Sequence, residues 1–240
     1  MEGRPVPVPI LMYHRLGPVQ RGSIVPGQYV TQQRFEGHLR ALKALKHHVI
    51  HLQDLQQNWP TQGKPVVITF DDGYASFYRI GLPALRRYGA TATVFLVASQ
   101  IGGRNEWDMV KGDVEEDLMT ESMIQECRAA GIEFGSHSST HPNLCLLDDS
   151  QLDVEIAGSK QTLELQLNFP VDWFCYPYGI QDERVRDRVR AAGYTGACAT
   201  GKGANTMGPD WFALKRINIR TNATLPYFVL KLIRSRRLAR

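Results

Sequence analysis

The sequence predicts a parallel (β/α) barrel, with an open doubly wound sheet as the alternative, on three observations. Seven short, near-continuous apolar runs have the length of strands, helical periodicity fills most of the gaps between them, and several helical stretches end in basic residues and a glycine just before the next strand. The chain has 240 residues, 43% of them hydrophobic and 22% charged, enough for one sizeable core. No internal repeat, low-complexity tract or linker divides it, so one α/β domain over residues 1–240 is the expectation.

The strands are expected at "VPILMY", at "PVVITF" before Asp71, and at "TATVFLV", "GIEFGS", "DWFCY", "YTGACA" and "ALKRINI". Each is apolar throughout, as a parallel strand covered on both faces must be. After the first strand, Thr31 is a candidate N-cap for a helix whose apolar face is Phe35, Leu39, Leu42 and Leu45. Leu152, Ile156, Leu163 and Leu167 repeat at one-face spacing, and Val185, Val189 and Ala192 do so after Asp182. "RRYGA", "RAAGI" and "RAAGY" close helices with positive charge near the negative end of the helix dipole and a glycine free to turn left-handed.

Charge and cysteine usage narrow the function classes. The net charge is +4, but the last thirty residues carry eight Lys or Arg and no acidic residue, so the rest of the chain is net acidic. The apolar, then basic, segment "PYFVLKLIRSRRLAR" reads as a terminal helix packing Phe228 and Leu232 on the barrel with its arginines in solvent; weak contact with an anionic membrane is the alternative. It lacks the interleaved aromatics of a nucleic-acid platform, so no nucleic-acid partner is expected. Cys127, Cys145, Cys175 and Cys198 show no CxxC spacing, which argues against a thiolate zinc site or a disulfide framework and for free thiols. The N-terminal residues are too rich in proline for a signal peptide and no stretch is long enough to span a bilayer, so a cytoplasmic location is expected.

Chemistry in such folds gathers where strands end. "TFDDGY" places Asp71 and Asp72 at a strand's carboxyl end, and Gly73 lets the chain turn so that both acids reach one mouth. Two close carboxylates repel unless a cation or a shared proton offsets them. "GSHSSTHP" offers His137 and His141 at another strand end, four residues apart, able to meet one ion from a helical turn or a tight loop. With Asp72 they make a two-His, one-carboxylate set that leaves coordination positions open, as catalytic sites do. Asp71 is then free to accept a proton. In "FCYPYG", Pro177 fixes the backbone and Gly179 permits a sharp turn, so that the N–H of Tyr178 can face a developing oxyanion.

Together, "TFDDG", "GSHSSTHP" and "YPYG", in this order and each after a strand, resemble the signature motifs of NodB-type polysaccharide deacetylases, carbohydrate esterase family 4. The likeness runs from about Ile10 to Asn218 and includes "PILMYH", "TATVFLV" and "GGRNEWD". It implies a distorted (β/α)7 barrel and a divalent metal, usually zinc, that removes acetyl groups from N-acetylated sugars. Asp71 matches the family's catalytic base, Asp72, His137 and His141 its metal ligands, and Tyr178 the residue whose backbone N–H stabilises the oxyanion.

There are two departures. An arginine often found two residues before the proline of the third motif, where it orients the base, is here Cys175, and no histidine follows His141 to serve as general acid. His14, which closes the first strand, is the expected substitute or a sugar contact. "MYHR" and "YPYG" resemble the bacterial deacetylases that act on poly-N-acetylglucosamine. Of the aromatics, Tyr74 and Trp107 are expected at the mouth, Trp173 and Trp211 in the core; Asp108 is a candidate to hydrogen-bond a sugar and Pro177 a further sugar contact. Two rival readings are an O-acetyl glycan esterase using the same machinery and a non-catalytic sugar-binding relative. Asp71 argues against the latter, since metal binding alone needs no second carboxylate.

Overall fold

Alternation along the strands sorts the apolar side chains into two separate layers. A computed structural model describes residues 5–238. Its elements, in chain order, are β1 (Ile10–Tyr13), β2 (Arg15–Leu16), β3 (Tyr29–Val30), α1 (Gln32–Ala44), β4 (His48–Ile50), α2 (Leu52–Gln57), β5 (Pro65–Phe70), α3 (Leu82–Tyr88), β6 (Thr93–Leu96), α4 (Glu106–Met109) and α5 (Glu121–Ala129). There follow β7 (Glu133–Ser136), α6 (Asp149–Asp153), α7 (Ser159–Leu167), β8 (Trp173–Cys175), α8 (Glu183–Ala191), β9 (Gly196–Cys198), β10 (Ile217–Asn218) and α9 (Leu225–Arg237). Leu11, Ile68, Val94, Leu96, Phe134 and Phe174 face outward under the helices. Their neighbours Ile10, Val67, Phe95, Trp173 and Cys175 face inward, where Leu52, Leu55 and Trp59 join them.

The sheet order β10-β1-β5-β6-β7-β8-β9 is parallel throughout. Residues 214–218 close the ring. Leu214 bridges Cys198 and exchanges backbone hydrogen bonds with Ala197 and Ala199 at 3.0 and 2.9 Å, while Ile217 and Asn218 pair with Leu11 and Met12 of β1. This is the expected seven-strand barrel. Its distortion comes from β4, which the apolar-run criterion does not find: it pairs with the first half of β5, and β6 pairs with the second half.

The helices follow the sequence signals, with local differences. Thr31 accepts from Arg34 N and Asp182 from Val185 N as N-caps, and Gly89 ends α3 left-handed at φ 62. Leu45, expected on the buried face of α1, is instead its C-cap and 38% exposed. The repeat from Leu152 to Leu167 is one helical run interrupted by a π segment at Val154–Gly158. In α9, Phe228 and Leu232 are buried as expected; the last two residues of the basic segment lie outside the described residues. All four cysteines are free thiols, and among the described residues no helix is long and apolar enough to cross a membrane.

His38 joins α1 to α9 and gives the fold a pH dependence. Its Nε2 lies 2.8 Å from the Ala223 carbonyl and donates to it, so Nδ1 accepts from Tyr13 Oη at 3.1 Å; the ring stacks on Phe228 with centroids 4.1 Å apart. Burial lowers its pKa to about 4. The unfolded chain takes up this proton near pH 6.5 and the folded one only near 4, so stability is present above 6.5 and lost as pH falls through that window, by up to about 3 kcal/mol. Urea unfolding at pH 7 and pH 4.5 should show a larger loss in the wild type than in His38→Gln. Equal losses would exclude this role.

Candidate active site

The site lies at the carboxyl ends of the strands, in a cleft of about 370 Å³ lined by Met12, His14, Asp71, Asp72, His137 and His141 at its floor. Asp71 continues the inward alternation of Val67 and Thr69. On a regular strand Asp72 would point outward; it has instead left-handed backbone, φ 74, followed by Gly73 at φ 75, and this turn brings its carboxylate to the same mouth. Aspartate tolerates that conformation better than most side chains, and glycine has no Cβ to clash.

His137 extends β7, its N–H bonded to Leu96 O at 2.8 Å. Its Nδ1 donates to the Cys175 carbonyl at 2.8 Å, which leaves Nε2 facing the cleft. His141 comes from a tight loop rather than a helical turn, with φ 66 and its N–H on Ser138 Oγ at 3.0 Å. The two Nε2 atoms each lie 3.4 Å from the same Asp72 oxygen, which has no hydrogen-bond partner among the described residues. Two imidazole nitrogens converging on a buried, unsatisfied carboxylate oxygen fit a divalent cation. Burial, with His137 close by, lowers His141 to about 3, so its ring is a neutral donor. Asp71, His137 and Cys175 are also close together. They fit an ion less well, because His137 Nδ1 already serves the Cys175 carbonyl and both Asp71 oxygens are taken.

What takes them is Arg216. Its Nη1 and Nη2 donate to the two Asp71 oxygens at 2.5 and 2.8 Å, and further donors reach Thr69 Oγ1, the Ala199 carbonyl and Cys175 Sγ. Burial alone would raise Asp71, but the guanidinium outweighs it and holds the carboxyl below its ordinary range. The arginine absent at Cys175 is thus replaced from the ring-closing segment, and its guanidinium touches the Cys175 sulfur. The available sequence signal is the inward-facing set Leu214, Arg216 and Asn218 in "ALKRINI".

His14 Nε2 is 3.8 Å from Asp71 Oδ2, and burial foremost lowers its pKa. Tyr178 has left-handed backbone, φ 60, and its ring meets His141 at 4.7 Å; Pro177, expected as a sugar contact, is instead buried beneath it and outside the cleft lining. Trp107 stacks on His141 at 4.9 Å, and both it and Asp108 line the cleft as expected. The expectation for Tyr74 is corrected: it is 1% exposed, donates no edge to the cleft and bonds Arg15, because the turn at Asp72 and Gly73 sends the next residue back into the core. Tyr178, 45% exposed, is the open aromatic of the mouth instead. Trp173 is core, as expected. Glu155 is unanticipated. From the π segment it accepts Ser139 N, Thr140 N and Thr140 Oγ1 at 2.9, 2.9 and 2.6 Å and so holds the loop between the two histidines.

Residues 58–197 match the family described as polysaccharide deacetylase. The chain belongs to the polysaccharide deacetylase family. Among its relatives, the putative polysaccharide deacetylase YxkH of Bacillus subtilis is 28% identical over 220 residues, covering 90% of this chain and 72% of that one. The poly-β-1,6-N-acetyl-D-glucosamine N-deacetylase of Staphylococcus epidermidis is 27% identical over 210 residues, 81% of this chain and 69% of its own. The Streptococcus pyogenes deacetylase PplD, solved in complex with acetate, shares the deacetylase fold with a TM-score of 0.81 at 23% identity, over 95% of this chain and 99% of that one. IcaB from Ammonifex degensii does so at 0.77 and 20%, over 97% and 99%.

Proposed function

We propose that this member of the polysaccharide deacetylase family hydrolyses the N-acetyl groups of N-acetylglucosamine units in a glycan, releasing acetate, with a divalent ion, zinc for preference over cobalt or nickel, at Asp72, His137 and His141. The observation that carries the reading is that Asp71 stands beside that trio but outside it, ionised and fixed by Arg216. The names of relatives that act on poly-β-1,6-N-acetyl-D-glucosamine support the substrate class.

The ion, when bound, supplies Lewis acidity to the acyl carbonyl and to water. Asp71 takes the proton of the attacking water, and Arg216 keeps its carboxylate ionised and aimed. The Tyr178 N–H, held open by the left-handed turn, donates to the oxyanion, a contribution of about 3 kcal/mol. His14, held neutral by burial, receives the proton from Asp71 across 3.8 Å and passes it to the departing nitrogen. The acyl C–N bond breaks, the amine stays on the sugar and acetate leaves. Trp107 and Asp108 bound the sugar.

Acetate release from β-1,6-linked and β-1,4-linked N-acetylglucosamine oligomers should vanish in chelator and return with zinc. Undiminished release in chelator, or release from O-acetylated xylan alone, would overturn the reading. His14→Ala should lose about 10²-fold in kcat with metal affinity unchanged; a variant with full turnover would rule out the relay.

A further inference from the structure

Arg15 sits just after the first strand, 1% exposed, and takes no part in the chemistry above. Its Nη1 reaches Tyr29 Oη at 2.9 Å and Asp113 Oδ2 at 2.7 Å; its Nη2 reaches Tyr74 Oη at 2.7 Å and Asp108 Oδ2 at 3.2 Å. The rings of Tyr74 and Tyr29 lie 4.6 and 5.2 Å from the guanidinium carbon. The guanidinium makes three hydrogen bonds and, with Asp113, an ion pair, a planar fork of donors that an ammonium does not offer.

Each partner belongs to a wall of the cleft or supports one. Asp113 Oδ1 accepts Ser23 Oγ and Ile24 N, both at 2.8 Å, which tethers the segment Ile24 to Gln28 on one side. Asp108 and the adjacent Trp107 form the facing side. Lys111 Nζ lies 3.4 Å from Asp108 Oδ1 and donates to Tyr178 Oη at 2.8 Å, so the third side is linked through one more residue. Tyr29 Oη passes the restraint on to Glu116 at 2.7 Å. Two cations, Arg15 and Lys111, thus balance two buried carboxylates, Asp108 and Asp113, along one path around the rim. On the floor, Arg216 holds Asp71 and Glu155 holds the histidine loop; the rim meets that floor where Trp107 stacks on His141 and Tyr178 Oη donates to the His141 carbonyl.

We propose that Arg15 is the positioning residue of the substrate-binding rim: one buried guanidinium fixes the separation of the walls between which the sugar is held. The role rests on the reading of the cleft as a glycan site, but its first consequence is independent of turnover. Without the fork, residues 22–28 and 105–118 lose their common anchor while the barrel strands keep theirs.

The test uses the full chain as Arg15→Met and Arg15→Lys, with Lys111→Ala as a milder variant that empties no core position. Hydrogen exchange should speed about tenfold in residues 22–28 and 105–118 in both Arg15 variants, with β1, β5 and β7 unchanged; Lys111→Ala should loosen only residues 105–118 and 177–180. On N-acetylglucosamine oligomers, KM should rise about tenfold in the Arg15 variants, kcat should stay within about threefold, and zinc affinity should be unaltered. Arg15→Lys, charge kept and fork lost, should not rescue KM. Unchanged rim exchange in soluble, folded Arg15 variants overturns the proposal, as does full rescue by lysine. A wild type that releases no acetate from any oligomer sinks the functional reading instead, and the exchange result still decides the role of Arg15.

Discussion

Asp71→Asn should release acetate about 10³-fold more slowly than the wild type while binding its divalent ion as before. The asparagine keeps the shape of the side chain and loses the basic oxygen, and Asp71 is not one of the three residues that converge on the ion site. His137→Ala, in contrast, should lose turnover and metal together. Isothermal titration with zinc, run beside acetate release, separates the two. An Asp71→Asn enzyme at wild-type rate would show that another group takes the proton.

Arg216→Met should have the larger effect on the protein as a whole. The guanidinium is 1% exposed and pairs with Asp71 through two hydrogen bonds, so its removal strands a buried carboxylate, at a cost of about 3–5 kcal/mol. Asp71→Asn combined with Arg216→Met should recover part of that loss, because neither charge then remains alone. The pH profile carries a second signature. Arg216 holds Asp71 below the ordinary carboxylate range, so in Arg216→Met the acid limb of kcat/KM should move to higher pH, and activity at pH 5 should fall further than at pH 8. A limb that stays in place, with stability intact, would show that the ion alone keeps Asp71 ionised.

The parts of the site that are legible in the sequence are those carried by short, local patterns. Asp71, Asp72 and His137 follow directly on apolar runs, His141 comes four residues later in the same motif, and the fold brings strand ends together whatever lies between them. The unread parts depend on distance. Arg216 meets Asp71 across 145 positions, and Arg15 meets Asp108 across 93. An arginine in a strand-like segment reads as an exposed edge until closure of the ring turns it inward. β4, the segment "HVI", is half-exposed and begins with histidine, so no apolar run marks it. Glu155 sits in a repeat that reads as unbroken α-helix; the π segment that aims it at the histidine loop leaves the apolar spacing intact. Tyr74 is expected at the mouth because it follows the two acids, but the left-handed turn at Asp72 and Gly73 sends it back into the core.

Residues 214–218 complete the barrel and also deliver the counter-charge of Asp71. The two events are therefore one. While the chain is being synthesised, every strand from β1 to β9 can emerge and begin to pair before Arg216 exists, and during that interval Asp71 has no guanidinium beside it. Sealing the seam and neutralising the buried acid are a single step, and a chain that stops short of that strand is left with an unpaired carboxylate in its interior.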